Sequence, residues 1–504
     1  MTPSENTTIC APATPVGAGA VSLLRVSGPL ALSVCDRVVR FKKGNASDAP
    51  GYSLHFGSVF EPPCPASDHS RENADASLVD EVLVSVFRAP HSYTGEDMVE
   101  ISCHASAYVV ERILSLLCRE GAVPAEPGEF TRRAFLSGKM DLSQAEAVAD
   151  LIASSSRSAH DLAIRQMKGG YSEELKKMRE QLLHIVSLME LELDFSEEEV
   201  EFADRSELRS LLDEAIERTS ALSASFRLGN ALKSGIPTAI AGAPNSGKST
   251  LLNALCGQDR AIVSDIEGTT RDTIEETCTA DGILLRFIDT AGLRESSDTI
   301  ERLGIERSYR AIEQSSAVLV LLDLSRSDRE LIGSARDILA HSCGEDSRDQ
   351  RSTAPFLVFL LNKADLEKNP ARIESLRTQL NELSGETPVM VISLKSGSAS
   401  EASDSSRYAS REASVAALKT LLAKHFLSLA QSHDTLVSNL RHAEALRSTA
   451  DALLRAREAL SQGLPTDLCC QDIREALHHL GSITGEISSQ DVLTNIFSRF
   501  CIGK

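Results

Sequence analysis

The segment GAPNSGKST (242–250) restricts the possible folds more than any other part of the chain. Its spacing, G-x-x-x-x-G-K-[ST], is useful only where a strand runs into a loop that opens a helix. The apolar run IPTAIAG precedes it and STLLNALCG continues from it, which supplies that context. Gly242 and Gly247 let backbone N–H groups turn inward around phosphate oxygens, and the helix N-terminus adds donors and partial positive charge. Asn245, Ser246, Gly247, Lys248, Ser249 and Thr250 are therefore the expected phosphate cradle. Lys248 would reach the β- and γ-phosphates, and the Ser249 hydroxyl would meet Mg²⁺.

Around this loop, residues 234–395 alternate short apolar runs with helical segments: ILLRFIDTAG, AVLVLLDLS, PFLVFLLNKAD and PVMVISLKS. Such alternation implies a mostly parallel sheet covered by helices on both faces. On either side the apolar spacing becomes helical, as in EELKKMREQLLHIVSLMELELDF before and LVSNLRHAEALRSTADALLRAREAL after. A length of 504 residues exceeds one compact core. The chain thus reads as a multidomain α/β protein. An N-terminal α+β domain spans 1–137, on the strength of VSLLRVSG (21–28), DEVLVSVFRAP (80–90) and the helical AYVVERILSLLCREG (107–121). A helical domain occupies 138–232 and 399–504, and a Ras-like P-loop domain is inserted at 233–398. Loops are expected at 61–77, 341–355 and 396–414, the last having almost nothing apolar to bury.

Three further elements follow the loop in the order of a GTPase. DIEGTTRD places Asp265, Ile266, Glu267, Gly268, Thr269 and Thr270 on a switch loop just after Ser264. DTAG brings Asp289, Thr290, Ala291 and Gly292 beside metal and γ-phosphate. NKAD supplies Asn362, Lys363, Ala364 and Asp365, whose carboxylate can accept the two N–H donors on guanine's edge that adenine lacks. The backbone of Ser393, Leu394 and Lys395 would close the base pocket. Leu293 stands where many GTPases carry a glutamine that orients the attacking water. Glu295, Glu301 and Glu306 are local substitutes, and chemistry alone does not choose among them.

Composition narrows the remaining classes. A net charge of −20 argues against holding nucleic acid by a general basic field, while leaving room for a local basic patch. The absence of Trp and the 4% aromatic content argue against a base-stacking platform. The 11 scattered cysteines, with no repeated C-x-x-C framework, suit reduced thiols in a cytoplasmic protein. Without an apolar run of eighteen residues or a basic N-terminal leader, no membrane association or secretion is expected. Cys469, Cys470, His478 and His479 lack zinc-ligand spacing, and Cys103–His104 lacks a third member for nucleophilic catalysis. The terminal FCIGK fails as a prenylation box because Gly503 and Lys504 fill its last positions.

Taken together, ATPVGAGAVSLLRVSG, APHSYTGEDMVEISCH, PGEFTRRAFLSGKMDLSQAEAVADLI, GAPNSGKSTLLNAL, AIVSDIEGTTRDT, DTAGLRESSDTIERLGIER, NKAD and ITGEISSQDVLTNIFSRFCIGK resemble the MnmE (TrmE) family of tRNA-modification GTPases over nearly the whole length. The resemblance implies that two inserted domains face each other in a homodimer and hydrolyse GTP with Mg²⁺ held by Ser249 and Thr270. It implies a K⁺ ion held by Asn245, Ser264, Ile266 and Thr269, and it places the water-orienting carboxylate on Glu301. It implies that the N-terminal domain binds 5-formyltetrahydrofolate or a related one-carbon folate through Arg25, Glu100, Lys139 and Lys504. Cys501 would then lie beside the folate, as a reactive or a packing thiol. The implied role is addition of an aminomethyl or carboxymethylaminomethyl group to carbon 5 of the wobble uridine of certain tRNAs. A FAD-containing MnmG (GidA)-type subunit would join it in a heterotetramer or larger complex. A regulatory GTPase switch on a non-catalytic dimerisation scaffold is the alternative. The family's PPGRGG and HGG read PVGAGA (15–20) and HASA (104–107) here, removing backbone freedom near the expected folate pocket.

Overall fold

The computed structural model describes residues 7–15, 17, 19–61, 77–194, 205–257, 276–288, 309–342, 354–395, 410–433 and 435–504. They form two compact units, Met1–Ala149 with Gly481–Lys504, and Asp150–Leu480.

The first unit is built on seven strands: β1 (Ile9–Pro12), β2 (Val21–Ser27), β3 (Val39–Phe41), β4 (Ser53–Phe60), β5 (Leu78–Phe87), β6 (Met98–His104) and β7 (Val123–Pro124). Their order is β3-β4-β5-β6-β2-β1-β7, antiparallel throughout except for β1 with β7. Along β5, Val82, Val84 and Val86 are buried while Glu81 and Leu83 face out, the alternation of a sheet with one covered face. Helices α1 (Ala31–Val38) and α2 (Ala107–Arg119) supply the cover, packing Val34, Cys35, Ile113 and Leu117 onto that face. Helix α3 (Glu129–Leu136) follows, then α4 (Leu142–Ala153).

Residues 481–504, expected at the end of the helical domain, make their contacts within this first unit. Phe497 and Phe500 are buried against Leu142 and Ala145, and Phe135 joins them. The burial of two aromatic rings favours this placement over the sequence neighbourhood. Gly128 makes it possible, because at φ +68° a Cβ there would lie 2.6 Å from the Phe497 carbonyl oxygen.

In the second unit, helices α5 (Arg157–Met167), α6 (Gly170–Asp194) and α7 (Arg205–Ser234) lead into the inserted domain. That domain runs β8 (Ile236–Gly242), α8 (Lys248–Cys256), β9 (Glu276–Ala280), β10 (Ile283–Phe287), β11 (Ala317–Asp323), α9 (Asp328–Ser342), β12 (Phe356–Asn362), α10 (Pro370–Ser384) and β13 (Val389–Val391). The sheet order is β13-β12-β11-β8-β10-β9, parallel except for the edge strand β9. Strand β11 is buried along its full length. Leu319 and Leu321 face one core cluster, and Val318, Val320 and Leu322 face the other. Burial on both faces is why this strand reads as an unbroken apolar run.

After the insertion come α11 (Arg411–Gln431), α12 (Leu440–Ser461) and α13 (Thr466–Thr484). Part of the expected loop 396–414 is therefore helical, because Ser410 caps α11 by accepting from the Ala413 amide at 3.2 Å. Among the described residues, α11 is also the one helix long and apolar enough to cross a membrane. Its Val415, Leu418, Leu422 and Phe426 belong instead to the core that faces the sheet.

Two contacts bind the insertion to its helical surroundings within this unit. The β9–β10 hairpin turns on Asp281 (φ +45°) and Gly282 (φ +91°), both in the left-handed region that a two-residue hairpin turn requires. The Gly282 carbonyl accepts from the Ser158 amide at 2.9 Å, and Asp281 Oδ2 accepts from the Thr420 hydroxyl at 2.6 Å. Further along, α7 meets the segment before α12 at Gly229, where a Cβ would lie 2.2 Å from the Val437 carbonyl oxygen. The Val437 amide donates to Ser225 Oγ at 3.0 Å, and Gln166 Nε2 donates to the Leu436 carbonyl at 3.3 Å. The obstacle at Gly229 is backbone that is itself hydrogen-bonded, so Gly229→Ala should destabilise this unit by about 1–3 kcal/mol. Calorimetry should show the corresponding thermal transition lowered by several degrees. An unchanged midpoint would mean that residues 436–438 give way at no cost.

Candidate functional site

The GAPNSGKST loop joins β8 to α8. Strand β8 ends at Gly242 (φ +152°), where a Cβ would lie 2.6 Å from the Leu321 carbonyl oxygen of the neighbouring strand. The loop turns through Asn245 (φ +61°), and Gly247 (φ +104°) begins α8. No larger residue fits at Gly247, since a Cβ would lie 2.6 Å from Asn362 Nδ2. That same amide donates to the Ser246 carbonyl at 2.8 Å, with both residues buried. Lys248 Nζ donates back across the loop to the carbonyls of Gly242 at 2.9 Å and Ala243 at 3.0 Å. Burial, and then the nearby Arg326, hold the Lys248 ammonium below the ordinary lysine value. Ser249 and Thr250 lie exposed on the first turn of α8. Two buried oxygens, Ser246 Oγ and Asn362 Oδ1, have no hydrogen-bond partner, a cost that a loop built to receive a polar ligand can carry.

The NKAD segment stands at the end of β12. Lys363 (φ +64°) turns the chain into a short 3₁₀ turn, Ala364–Leu366. Its ammonium meets Asp323 Oδ2 at 2.7 Å. Burial would raise the Asp323 carboxyl, but donation from Lys363 and Ser325 outweighs it and holds the group below the usual carboxylate range. Ser393 Oγ donates to Asp365 Oδ1 at 2.8 Å, and the Ala364 amide donates to the Ile392 carbonyl at 3.3 Å. Leu394 is buried, while Lys395 faces solvent. NKAD and residues 393–395 are therefore neighbours, and the Asn362 bond joins them to the phosphate cradle. Asp323 and Arg326, which donates to the Pro244 carbonyl at 3.2 Å, were not singled out by motif. The only signal for Asp323 was an acid closing the apolar run AVLVLLD.

Ser264, Asp265, Ile266, Glu267, Gly268, Thr269, Thr270, Asp289, Thr290, Ala291, Gly292 and Glu301 lie outside the described residues.

In the first unit, Arg25 of β2 and Glu100 of β6 are register partners. The Arg25 guanidinium donates to Glu100 Oε1 from Nε at 2.9 Å and from Nη2 at 2.7 Å. Its Nη1 donates to the Gly503 carbonyl at 3.1 Å, and it lies over the rings of Tyr93 at 5.3 Å and Phe130 at 5.6 Å. Gly503 (φ +90°) is seated where a Cβ would be 2.0 Å from the Pro12 carbonyl oxygen. Lys504 follows, its ammonium held below the ordinary lysine value by burial and then by Arg25. Three of the four expected folate residues thus converge. Lys139 stands exposed beside the Gly95 turn. Cys501 is exposed, and the packing falls to its neighbours Phe497 and Phe500. Tyr93 and Phe130 fall within the family-like segments APHSYTGED and PGEF, but no spacing there marks them as site residues. The two departures from the family pattern meet each other, with Ala105 N donating to the Ala20 carbonyl at 3.3 Å. That meeting lies five residues along the paired strands, roughly 16 Å, from the Arg25–Glu100 pair.

Cys469 and Cys470 are buried within α13, and no metal-binding cluster occurs among the described residues. Cys103 is also buried, and burial pushes its thiol up to about 11. The His104 ring instead pairs with Asp80 Oδ1 at 2.7 Å.

A family model described as the MnmE helical domain matches residues 142–501, and one described as the GTP-binding protein TrmE N-terminus matches residues 8–139. Curated relatives named tRNA modification GTPase MnmE match end to end. The protein from Parabacteroides distasonis is 47% identical over 99% of this chain and 100% of its own. That from Bacteroides fragilis is 46% identical over 99% of each, and that from Cytophaga hutchinsonii is 45% identical over 99% of this chain and 98% of its own. With a family model covering well over half of the residues and relatives of this identity matching at full length, the chain belongs to the MnmE (TrmE) family.

Proposed function

We propose that this chain is the GTP-hydrolysing subunit of a tRNA-modifying complex that adds an aminomethyl or carboxymethylaminomethyl group to carbon 5 of the wobble uridine, acting in the cytoplasm. The observation that carries the reading is the joined nucleotide pocket. Gly247 leaves no side chain between Asn362 and the cradle, and Asn362 ties the base-reading turn to Ser246. This pocket occurs in a chain aligned end to end with relatives named tRNA modification GTPase.

In this reading the residues from Asn245 to Thr250 hold the phosphates by backbone N–H groups, Lys248 releases the loop carbonyls to meet the β- and γ-oxygens, and Asp365 selects guanine. The hydroxyls of Ser249 and Thr270 would hold Mg²⁺. Asn245, with oxygens of Ser264, Ile266 and Thr269, would hold K⁺, which supplies charge neutralisation at the β–γ bridge. Glu301 takes the water-orienting role that Leu293 cannot. The charged and aromatic grouping of Arg25, Glu100, Lys504, Tyr93 and Phe130 suits a flat, anionic one-carbon folate. Arg25 and Lys504 would face its carboxylates and Glu100 its ring N–H groups. The acidic subunit works as a homodimer and leaves flavin chemistry, and much of the tRNA affinity, to an MnmG-type partner.

GTP turnover should be markedly faster in K⁺ than in Na⁺ at equal ionic strength, and equal rates would remove the cation from the mechanism. Glu301→Ala should abolish turnover while nucleotide binding, followed by a fluorescent guanine nucleotide, persists. Surviving turnover would move the carboxylate role elsewhere. Deleting residues 501–504 should leave GTP hydrolysis largely intact while nucleoside analysis of tRNA shows the wobble modification lost. If the intact protein also fails to restore the modification in a strain lacking it, the regulatory-switch reading replaces this one.

A further inference from the structure

We propose that Cys10 and Cys118 form a reversible disulfide, making the first unit a site of oxidative modification by a small peroxide. The two thiols lie 108 residues apart in sequence, yet their sulfurs are 3.8 Å apart. Cys10 is fully buried in the middle of β1, and Cys118 is half-buried on the last turn of α2. The pair therefore combines a partly exposed cysteine with a fully buried one.

The two cysteines are held in different settings. Cys10 is fixed in the sheet, opposite Val26 on one side and Pro124 on the other, and its carbonyl accepts from the Ala125 amide at 3.0 Å. Cys118 is followed by one more helical residue and then by a turn through Gly121 (φ +108°). A disulfide needs its sulfurs about 2.05 Å apart. The remaining approach falls to rotation of the Cys118 side chain and a small shift of the α2 end, while β1 stays in place.

Reactivity divides the same way. Burial, and then the neighbouring Cys118, push the Cys10 thiol up to about 12, so it remains protonated and does not react first. The peroxide oxidises Cys118, whose sulfur takes one oxygen to become a sulfenic acid while the other peroxide oxygen leaves as water. Cys10 then attacks the sulfenic sulfur. The S–O bond breaks, the hydroxyl departs with the Cys10 proton as a second water, and the S–S bond forms. In sum, two thiols and one hydrogen peroxide give one disulfide and two waters. A dithiol reductant reverses the change by exchange. Closure would link α2 covalently to the strand whose Pro12 carbonyl seats Gly503.

The test uses the full-length protein treated with hydrogen peroxide, quenched, denatured, alkylated and digested for mass spectrometry. The expected result is a linked Cys10–Cys118 peptide in most molecules, lost on dithiothreitol treatment, while the buried Cys35 remains alkylatable. Oxidised wild type should also melt at a higher temperature than its reduced form, and Cys118→Ser should show neither the link nor the shift. In Cys10→Ser, dimedone should trap a sulfenic acid on Cys118. The proposal is overturned if Cys118 proceeds to sulfinic acid with Cys10 still alkylatable. It is equally overturned if the link forms no faster in the folded protein than in urea.

Discussion

The hydrogen bond from the Asn362 side chain to the Ser246 carbonyl holds the nucleotide pocket in one piece. It joins the ends of two parallel strands, β8 and β12, that are not neighbours in the sheet, since β11 runs between them. Burial makes the bond demanding, because breaking it would leave further polar groups unpaired in a dry place. The rest of the local design follows from it. Gly247 must lack a side chain to let the amide pass, Lys363 must turn left-handed to end the strand there, and Asp323 must anchor Lys363 from the intervening strand. Each constraint is steric or electrostatic, and each is met by a residue type that few substitutes match.

The sheet beneath explains how such tolerances are kept. Its central strands are buried on both faces, so their side chains interlock with helices above and below and leave little room for adjustment. The first unit is organised differently. Its largely antiparallel sheet has one face covered by α1 and α2, and the last residues of the chain return to it, where the Gly503 carbonyl meets Arg25. Both groupings thus depend on contacts between residues far apart in the chain, the first between two strand ends of one sheet and the second between β2 and the last residues.

Legibility in the sequence followed the same division. The P-loop, the β/α alternation and the helical flanks were readable because each depends on spacing within a few residues. Strand β4, by contrast, lies in GYSLHFGSVF, where glycine and histidine interrupt the apolar pattern, and its pairing with β3 and β5 makes it a strand. The grouping of residues 481–504 with the first unit was equally hidden, since it depends on Phe497 and Phe500 finding Leu142 and not on any local signal. Arg25, Glu100 and Lys504 could be named by resemblance, whereas Tyr93 and Phe130, which flank the guanidinium, required the fold itself. Asp323 shows the same limit: an acid after an apolar run has many uses, and only the register of β11 with β12 sets it opposite Asn362, beside Lys363.

The hairpin turn at Asp281–Gly282 has a practical corollary. An aspartate–glycine turn at the edge of a sheet is ordinarily a free tip, and such tips accept inserted epitopes or reporter domains with little harm. Here the tip is engaged on both sides, by the Ser158 amide and the Thr420 hydroxyl. A domain grafted at this position would have to displace the helical surroundings before it could fold, so the most obvious insertion point in the nucleotide-binding domain is among the least permissive.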